Sequence, residues 1–278
     1  MQIDTIRRKN NHAMPADYHT HTPLCKHATG EPEQYVAAAI AAGLDEYGIS
    51  DHAPCRPEPF DDWRMLESEL PDYFQWIERA KQAAGDKIEI RAGMECDWIK
   101  GCEPFIGELS KKYDWDYLIG SVHYLGSWDF DNPKWLGKWA ETDVDAVWTE
   151  YWKTYAEMAE SGLFDILAHP DLVKKFSYAP EGDLDRFYDP AIEAIAANGS
   201  VIEINTAGLH KPCAEAYPAP RFIELARSAG IGLVISSDAH APAEVARDFP
   251  FARELAKAAG YRETQKFNKR SRTSEPLY

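Results

Sequence analysis

The stretch IGLVISSDAHAP, residues 231–242, shows a sequence pattern that recurs along the whole chain. A short run of mostly apolar residues, 231–236, leads to two ionisable side chains, Asp238 and His240. A run that is apolar along its length is typical of a strand covered on both faces in a parallel sheet. Because residues two apart on a strand point to the same side, we expect Asp238 and His240 to face together.

Six other short runs share this character, and helix-like stretches separate them. The seven predicted strands lie near Asp17–Thr20 and at Glu46–Ser50, Glu89–Met94, Tyr117–Val122, Asp165–Ala168, Val201–Asn205 and Ile231–Ser236. The predicted helices lie at 31–43, 71–85, just ahead of Lys111, and at Val144–Ser161, Asp189–Ala197, Arg221–Ala229 and Phe251–Ala259. Such alternation predicts an α/β fold with a parallel sheet and crossover helices, either open or closed into a barrel.

Histidines and carboxylates gather at the carboxyl ends of these strands, and their position favours the barrel. In a barrel the strand ends converge on one opening, whereas in an open sheet they form a line. The group comprises seven of the nine histidines and two carboxylates: His19, His21, His27, His52, Glu95, His123, His169, Asp238 and His240. His12 lies apart from them, and we interpret it as an ordinary polar residue of the tail.

These nine side chains are suited to divalent metals. Neutral imidazole and carboxylate are ligands of Zn²⁺, Fe²⁺ and Mn²⁺. A single histidine at a strand end is more often hydrogen-bonded in its loop, but the close packing of nine such groups without metal would leave polar atoms unpaired. The sequence therefore predicts a metal site at the opening, with the kind of metal left undecided.

Composition excludes several other classes of protein. The chain has 278 residues, 45% of them hydrophobic, and a net charge of −16. This balance is that of a globular protein, and it argues against a nucleic acid as the main partner because phosphate contacts need a basic face. We expect no membrane span, a cytoplasmic protein with reduced thiols, and a tail at residues 1–14 rather than a signal peptide. The oligomeric state stays open, a homo-oligomer included.

Two further groups allow two interpretations each. The tryptophans at 128, 135, 139, 148 and 152 form either a stacking platform for a ligand or part of the core. Since Trp148 and Trp152 are one helical turn apart, we assign those two to the core. The pair Lys174–Lys175 belongs either to a solvated loop or to the rim of the opening.

Seven stretches resemble, in order, the polymerase-and-histidinol-phosphatase (PHP) superfamily, in its histidinol-phosphatase-like branch. They are DYHTHTPLCKHA (17–28), GISDHAP (48–54), AGMECD (92–97), IGSVHYL (119–125), ILAHPDLVKKF (166–176), EINTAGLHKP (203–212) and SSDAHAP (236–242). The resemblance implies a distorted seven-stranded βα barrel, TIM-barrel-like, occupying residues 15–278 as a single domain with a polar C-terminal tail after about residue 262.

The resemblance also implies three metal ions. The first would be held by His19, His21, Glu95 and Asp238; the second by Glu95, His123 and His169; the third by His27, His52 and His240. Catalytic roles fall on Glu95, Asp238 and His123, and Asp51 is a candidate for proton transfer or for orienting a ligand. Divalent ions neutralise phosphate oxygens and lower the pKa of bound water, so a metal-activated hydroxide is available near neutral pH.

The implied reaction is hydrolysis of a phosphomonoester, first of all L-histidinol phosphate to L-histidinol and phosphate, a step of histidine biosynthesis. Lys175, His210 and Lys211 are the candidates for binding the phosphate. His210 stands where the family usually has arginine, and imidazole lacks the bidentate grip of a guanidinium. Two alternatives therefore stay open: another small phosphate ester, such as a nucleotide or sugar phosphate, and a non-catalytic metal-bound module.

Overall fold

The computed structural model describes residues 15–277, and the predicted parallel α/β architecture is present in it. His12 and the predicted tail at residues 1–14 lie outside the described residues. The strands are β1 (Glu46–Ile49), β2 (Glu89–Ala92), β3 (Glu95–Asp97), β4 (Ile119–Ser121), β5 (Tyr124–Leu125), β6 (Trp128–Asp129), β7 (Ile166–Leu167), β8 (Val201–Asn205), β9 (Leu233–Ser236), β10 (Glu263–Asn268) and β11 (Ser271–Pro276). The helices are α1 (Pro32–Ala42), α2 (Leu70–Ala84), α3 (Glu103–Lys112), α4 (Leu136–Trp139), α5 (Val144–Glu160), α6 (Asp185–Asn198), α7 (Pro220–Ser228) and α8 (Phe249–Ala258).

Parallel pairing forms the centre of the fold. Five strands make one sheet in the order β3-β4-β7-β8-β9, and β1 pairs with β2 in a separate two-stranded sheet. All of these pairs are parallel, and a helix lies between most successive strands, as the alternation in the sequence predicts. The carboxyl ends of the strands consequently point in one direction.

The first predicted strand, 17–20, makes only single backbone pairs. Asp17 pairs with Tyr47 of β1, and Thr20 pairs with Ala239 just beyond β9, both in parallel. A third isolated pair joins His52 to Glu95 at the start of β3. The 17–20 segment therefore connects β9 on one side to β1 on the other, and it carries His19 at its middle.

Close packing beneath this segment requires glycine at two positions. The Tyr117 hydroxyl donates a hydrogen bond to the Tyr18 carbonyl at 2.6 Å, and the phenol ring lies against β1 and the end of β2. A Cβ on Gly48 would lie 2.2 Å from the Tyr117 hydroxyl oxygen, and one on Gly93 would lie 2.3 Å from the ring. Any larger residue would push the tyrosine away from the backbone that presents His19.

The helices bury their aromatic faces. Trp148 and Trp152 of α5 are both about 1% exposed, which confirms their assignment to the core, and Trp152 stacks on Phe222 of α7. Trp128 and Trp139 are also buried, with ring centroids 5.1 Å apart. Among residues 15–277, no helix combines the length and apolar character needed to cross a bilayer.

The expectation of a polar tail after residue 262 is wrong for the described residues. Residues 263–276 form the antiparallel hairpin β10–β11. Its strand β10 buries Phe267 against Tyr18 and Tyr117, and the Phe267 backbone N–H donates to the Tyr18 hydroxyl at 3.2 Å. The local sequence does not indicate this hairpin, because Phe267 and Pro276 are the only apolar residues along it.

Candidate active site

All nine predicted ligand residues lie together at the carboxyl ends of the parallel strands. The ring centroids of His21 and His240 are 4.0 Å apart, and those of His21 and His52 are 4.3 Å apart. His123 and His169 approach to 5.0 Å on the other side of the group. The strand ends therefore do converge, and they bring together side chains more than 200 positions apart in sequence.

Glu95, which follows the carboxyl end of β2 by three residues and begins β3, lies at the centre of the group. Its Oε2 is 3.2 Å from His19 Nε2 and 2.8 Å from His52 Nδ1. Its Oε1 is 3.2 Å from His169 Nε2 and 3.7 Å from His123 Nε2. One carboxylate thus faces two sets of imidazoles, which is the arrangement expected of a residue that bridges two cations.

Asp238 and His169 reach the site through an unusual backbone conformation. Asp238 has a φ of 54° and His169 a φ of 25°, both in the region that favours glycine. Asp238 Oδ1 consequently lies 3.0 Å from His21 Nε2 and 3.7 Å from His19 Nε2. Backbone strain of this kind is common at functional sites, where the surrounding structure maintains it.

A second group of potential ligands lies nearer the surface. His27, His52 and His240 each present one ring nitrogen, and these three nitrogens lie within 4.8 Å of one another. His27 is exposed, His52 is buried, and Trp63 packs edge-on against both rings. These three residues are the same three that the resemblance implies for a third ion.

The buried polar atoms of the site fit a divalent cation. Within the described chain, His19 Nε2, His52 Nδ1, Glu95 Oε2 and His240 Nε2 are buried and have no partner in hydrogen-bond geometry, although several lie close to one another. Unpaired buried polar atoms cost free energy that a metal ion would recover. The donor set of imidazoles and carboxylates is the one that Zn²⁺, Fe²⁺ and Mn²⁺ prefer.

Buried carboxylates behind the imidazoles orient their rings. Glu203 Oε1 lies 2.9 Å from His19 Nδ1, and Asp97 Oδ1 lies 2.7 Å from His123 Nδ1. Asp51 Oδ1 lies 3.3 Å from His21 Nδ1. In each case the carboxylate takes one ring nitrogen and leaves Nε2 turned to the centre, which is how proteins orient histidine ligands of metals.

Asp51 is therefore behind the site rather than in it. Its carboxylate is fully buried, accepts the His52 backbone N–H at 2.8 Å, and does not line the cavity described below. Of the two roles predicted for this residue, its position favours orienting a ligand over transferring a proton to substrate.

The electrostatic field around His19 and Glu95 favours positive charge. Burial lowers the pKa of His19, but the carboxylates of Glu203, Glu95 and Asp238 outweigh burial and hold the pKa well above its usual range. Burial raises the pKa of Glu95, but His52 and His19 outweigh it and hold the pKa well below normal. A region in which carboxylates stay ionised at full burial is suited to cations.

A cavity of about 470 Å³ opens over these ligands. Lys175 and Lys211 both line it, as predicted for phosphate contacts, and Lys175 Nζ lies 2.8 Å from Asp131 Oδ2. Lys174 does not line it, because its ammonium is buried in ion pairs with Asp171 and Glu215. The rim interpretation of the lysine pair therefore holds for one of its two members.

His210 does not line the cavity. Its imidazole is exposed, and Nε2 lies 2.7 Å from Asp248 Oδ2. The tryptophans at 128, 135, 139, 148 and 152 are also absent from the cavity wall, so none of them is a stacking platform there.

Several residues of the cavity wall, and several that support the ligands, are not indicated by the local sequence. Asp97 is two residues after Glu95 on β3, and this spacing places both side chains on the same face, so the sequence pattern could have indicated Asp97. Glu203 lies on β8, two residues before Asn205. The short hairpin β5–β6 contributes acidic residues to the wall, while Trp63 and Arg247 come from loops without any local motif. Further wall residues that the sequence did not indicate include Asp62, Trp63, Asp129, Asp131, Lys134, Glu244 and Arg247.

Comparison with known proteins gives the family. The PHP domain model matches residues 17–207. The chain belongs to the PHP family. It is 43% identical over 231 residues to the protein named "Probable histidinol-phosphatase" of Deinococcus radiodurans, covering 82% of this chain and 87% of that protein. It is 28% identical to the histidinol-phosphatase of Bacillus subtilis, covering 82% and 94% of the two chains. This PHP-family chain therefore lies in the histidinol-phosphatase-like branch.

The crystal structure of histidinol phosphate phosphatase from Lactococcus lactis has the same fold. The two structures superpose with a TM-score of 0.76 at 22% identity, covering 94% of this chain and all of that one. That protein was crystallised in complex with zinc, L-histidinol and phosphate.

Proposed function

We propose that this protein is a metal-dependent phosphomonoester hydrolase that converts L-histidinol phosphate and water into L-histidinol and phosphate. The convergence of seven imidazoles and two carboxylates carries the proposal, because five of these imidazoles and both carboxylates line one cavity and the other two imidazoles lie beside Glu95. Its relatives in Deinococcus and Bacillus are named histidinol-phosphatases, and the Lactococcus protein binds L-histidinol and phosphate. We extend that substrate to this chain.

We further propose that three divalent cations bind here. His19, His21, Glu95 and Asp238 would hold the first, Glu95, His123 and His169 the second, and His27, His52 and His240 the third. The zinc bound by the Lactococcus protein makes Zn²⁺ the first candidate. Bound divalent cations supply neutralisation of phosphate charge and lower the pKa of water near them.

The chain's own side chains would orient the two ends of the substrate. Lys175 and Lys211 line the cavity and would provide positive charge for the phosphate. Asp62 and Asp129, which also line the cavity, would provide negative charge for the cationic amine of histidinol. A substrate that carries an anion and a cation a few bonds apart fits a wall of mixed charge better than a simple anion would.

We also propose that residues 15–278 form one domain whose seven-stranded βα barrel is closed through the 17–20 segment. The single backbone pairs from Asp17 to Tyr47 and from Thr20 to Ala239 support closure, since they join the two parallel sheets at their free edges. A closed ring of strands accounts for the convergence of ligands on one opening.

The deciding experiment measures kcat/KM of the zinc-loaded protein on L-histidinol phosphate and on a panel of nucleotide and sugar phosphates. We expect histidinol phosphate to be preferred at least tenfold. A preference for a different phosphate ester would overturn the substrate assignment alone. Absence of hydrolysis of every ester by metal-replete protein would overturn the enzyme assignment and favour the non-catalytic module.

A further inference from the structure

The segment 206–212 supplies no guanidinium to the cavity, because position 210 is histidine. The His210 imidazole is directed to Asp248 Oδ2, at 2.7 Å, on the exposed side of the segment. Lys211 alone of this segment's ionisable side chains lines the cavity. A phosphate held only by lysine ammonium groups would lack the planar, bidentate partner that arginine provides.

Arg247, one residue before Asp248, lies in the cavity wall. It is the only arginine among the described residues that line the cavity, and it shares the wall with Asp238, His240 and Lys211. Its side chain is about 30% exposed, so part of it is open to a ligand in the cavity. A guanidinium thus reaches the site from the loop between β9 and α8.

The guanidinium of Arg247 has donors to spare. Arginine carries five N–H donors. Nη1 lies 3.3 Å from Glu244 Oε1, a long contact for an ion pair, and Nε is buried without a hydrogen-bond partner in the described chain. Glu244 Oε2 is already engaged by the His240 backbone N–H at 2.8 Å. A buried, unpaired N–H beside a polar cavity is satisfied when an anion binds there.

The loop that carries Arg247 is held at three successive residues. The Ala246 N–H donates to Asp17 Oδ2 at 3.0 Å, and Thr206 Oγ1 donates to the Arg247 carbonyl at 2.7 Å. The third contact is the pair of Asp248 with His210. Ala246 and Asp248 both have positive φ, near 55° and 60°, so the backbone turns sharply on either side of the arginine. A group on a fixed loop binds its ligand at lower entropic cost.

We propose that Arg247 binds the phosphate group of the substrate through its guanidinium, and that His210 helps to position the loop that presents it. The inference rests on the proposed function in that the substrate is a phosphate ester, but it concerns phosphate binding rather than the choice of ester. The loop 245–248 would thus provide the bidentate phosphate contact that the imidazole at position 210 cannot provide.

The test uses inorganic phosphate as the probe and the zinc-loaded full chain as the sample. We compare the wild type with Arg247→Met and Arg247→Lys by isothermal titration calorimetry, and we measure zinc content by elemental analysis. The matched control is Arg221→Met, because Arg221 is an exposed arginine of α7 that also pairs with a glutamate three residues away, at 3.4 Å. Thermal unfolding of each variant verifies that it is folded.

We expect Arg247→Met to raise the phosphate Kd by about 10- to 100-fold, the effect of losing hydrogen bonds to a charged group. The phosphate Kd of Arg247→Lys should lie between those of the wild type and Arg247→Met, because lysine keeps the positive charge but lacks the planar, bidentate guanidinium. The lysine variant serves as the test if the methionine variant fails to fold. Arg221→Met should leave the Kd unchanged, and zinc content should be equal in all samples.

A phosphate Kd within twofold of wild type in both folded Arg247 variants would overturn the inference, as would a wild type that binds no phosphate. Wild-type protein that prefers another ester while Arg247→Met still loses phosphate affinity would overturn only the histidinol assignment. The failure of one proposal is thereby distinguished from the failure of the other.

Discussion

At the scale of single residues, the site depends on carboxylates that never reach the cavity. Asp97 is the clearest case, because its two oxygens divide between His123 Nδ1, at 2.7 Å, and the guanidinium of Arg64, at 2.9 Å. Burial raises the pKa of Asp97, but His123 and Arg64 outweigh it and keep the pKa below its usual range. The carboxylate therefore stays ionised and orients the imidazole.

Replacing Asp97 with Asn should weaken metal binding and activity by about 10- to 100-fold, because the amide is a poorer partner for the ring N–H of His123. Zinc affinity, measured by competition with a chelating dye, provides a readout separate from turnover. Asp189→Asn is the matched control, since Asp189 is exposed on α6. Equal zinc affinities for the two variants would contradict an orienting role for Asp97.

The position of His210 changes what its replacement by arginine should do. From the sequence, His210→Arg is expected to raise turnover of histidinol phosphate by restoring a phosphate contact. In the structure Asp248 lies 2.7 Å from this side chain and is well placed to pair with an arginine there instead. We therefore expect kcat/KM of His210→Arg to stay within about twofold of wild type; a tenfold increase would show that position 210 does reach the phosphate.

At the scale of secondary-structure elements, the C-terminal hairpin supports the segment that carries His19 and His21. Phe267 of β10 is 3% exposed, and its ring centroid lies 5.8 Å from that of Tyr18. Thr264 Oγ1 donates to the Leu233 carbonyl of β9 at 3.2 Å. The hairpin thus packs beneath both the first segment and the last strand of the parallel sheet.

Phe267→Ala should lower the free energy of unfolding by about 3–5 kcal/mol, the usual cost of removing a buried phenyl ring. Chemical denaturation followed by fluorescence measures it. Thr273→Ala, at an exposed position of β11 on the same hairpin, is the control and should change stability by less than about 0.5 kcal/mol. A small effect of the phenylalanine substitution would mean that the hairpin is dispensable to the fold.

At the scale of the whole molecule, metal binding and folding are coupled. The ligands come from segments spread between residues 19 and 240, so only the folded chain presents them together. A ligand that binds only the folded state stabilises it by mass action. The chain has 46 acidic and 30 basic residues, and the resulting net charge of −16 adds to the attraction for cations.

Removal of metal with a chelator should therefore lower the melting temperature. With free zinc at about 100 times its Kd, the stabilisation is about 2.7 kcal/mol, or roughly 5 °C for a chain of this size. Differential scanning calorimetry with and without chelator measures the shift, and added zinc should reverse it. Glu95→Gln, which lacks the central charge, should show a much smaller response; an equal response would place the stabilising metal elsewhere.

Local sequence patterns determined the parallel α/β class, the positions of most strands and helices, and the nine side chains that meet at the strand ends. They did so because a strand buried on both faces appears as a short apolar run, and the residues just after that run are at the end of the strand. The family followed from the same stretches, since the residues between 17 and 207 that match the PHP model include most of the predicted ligands.

Only the tertiary structure decided which groups act together across the chain. It paired His19 with Glu203 and His210 with Asp248, brought Arg247 into the cavity, and packed Phe267 beneath Tyr18. Such contacts depend on the path of loops and on the packing of distant elements, and no periodicity of the sequence records them. The sequence therefore indicated which side chains form the site, whereas the residues that orient these side chains and line the cavity were found only in the folded structure.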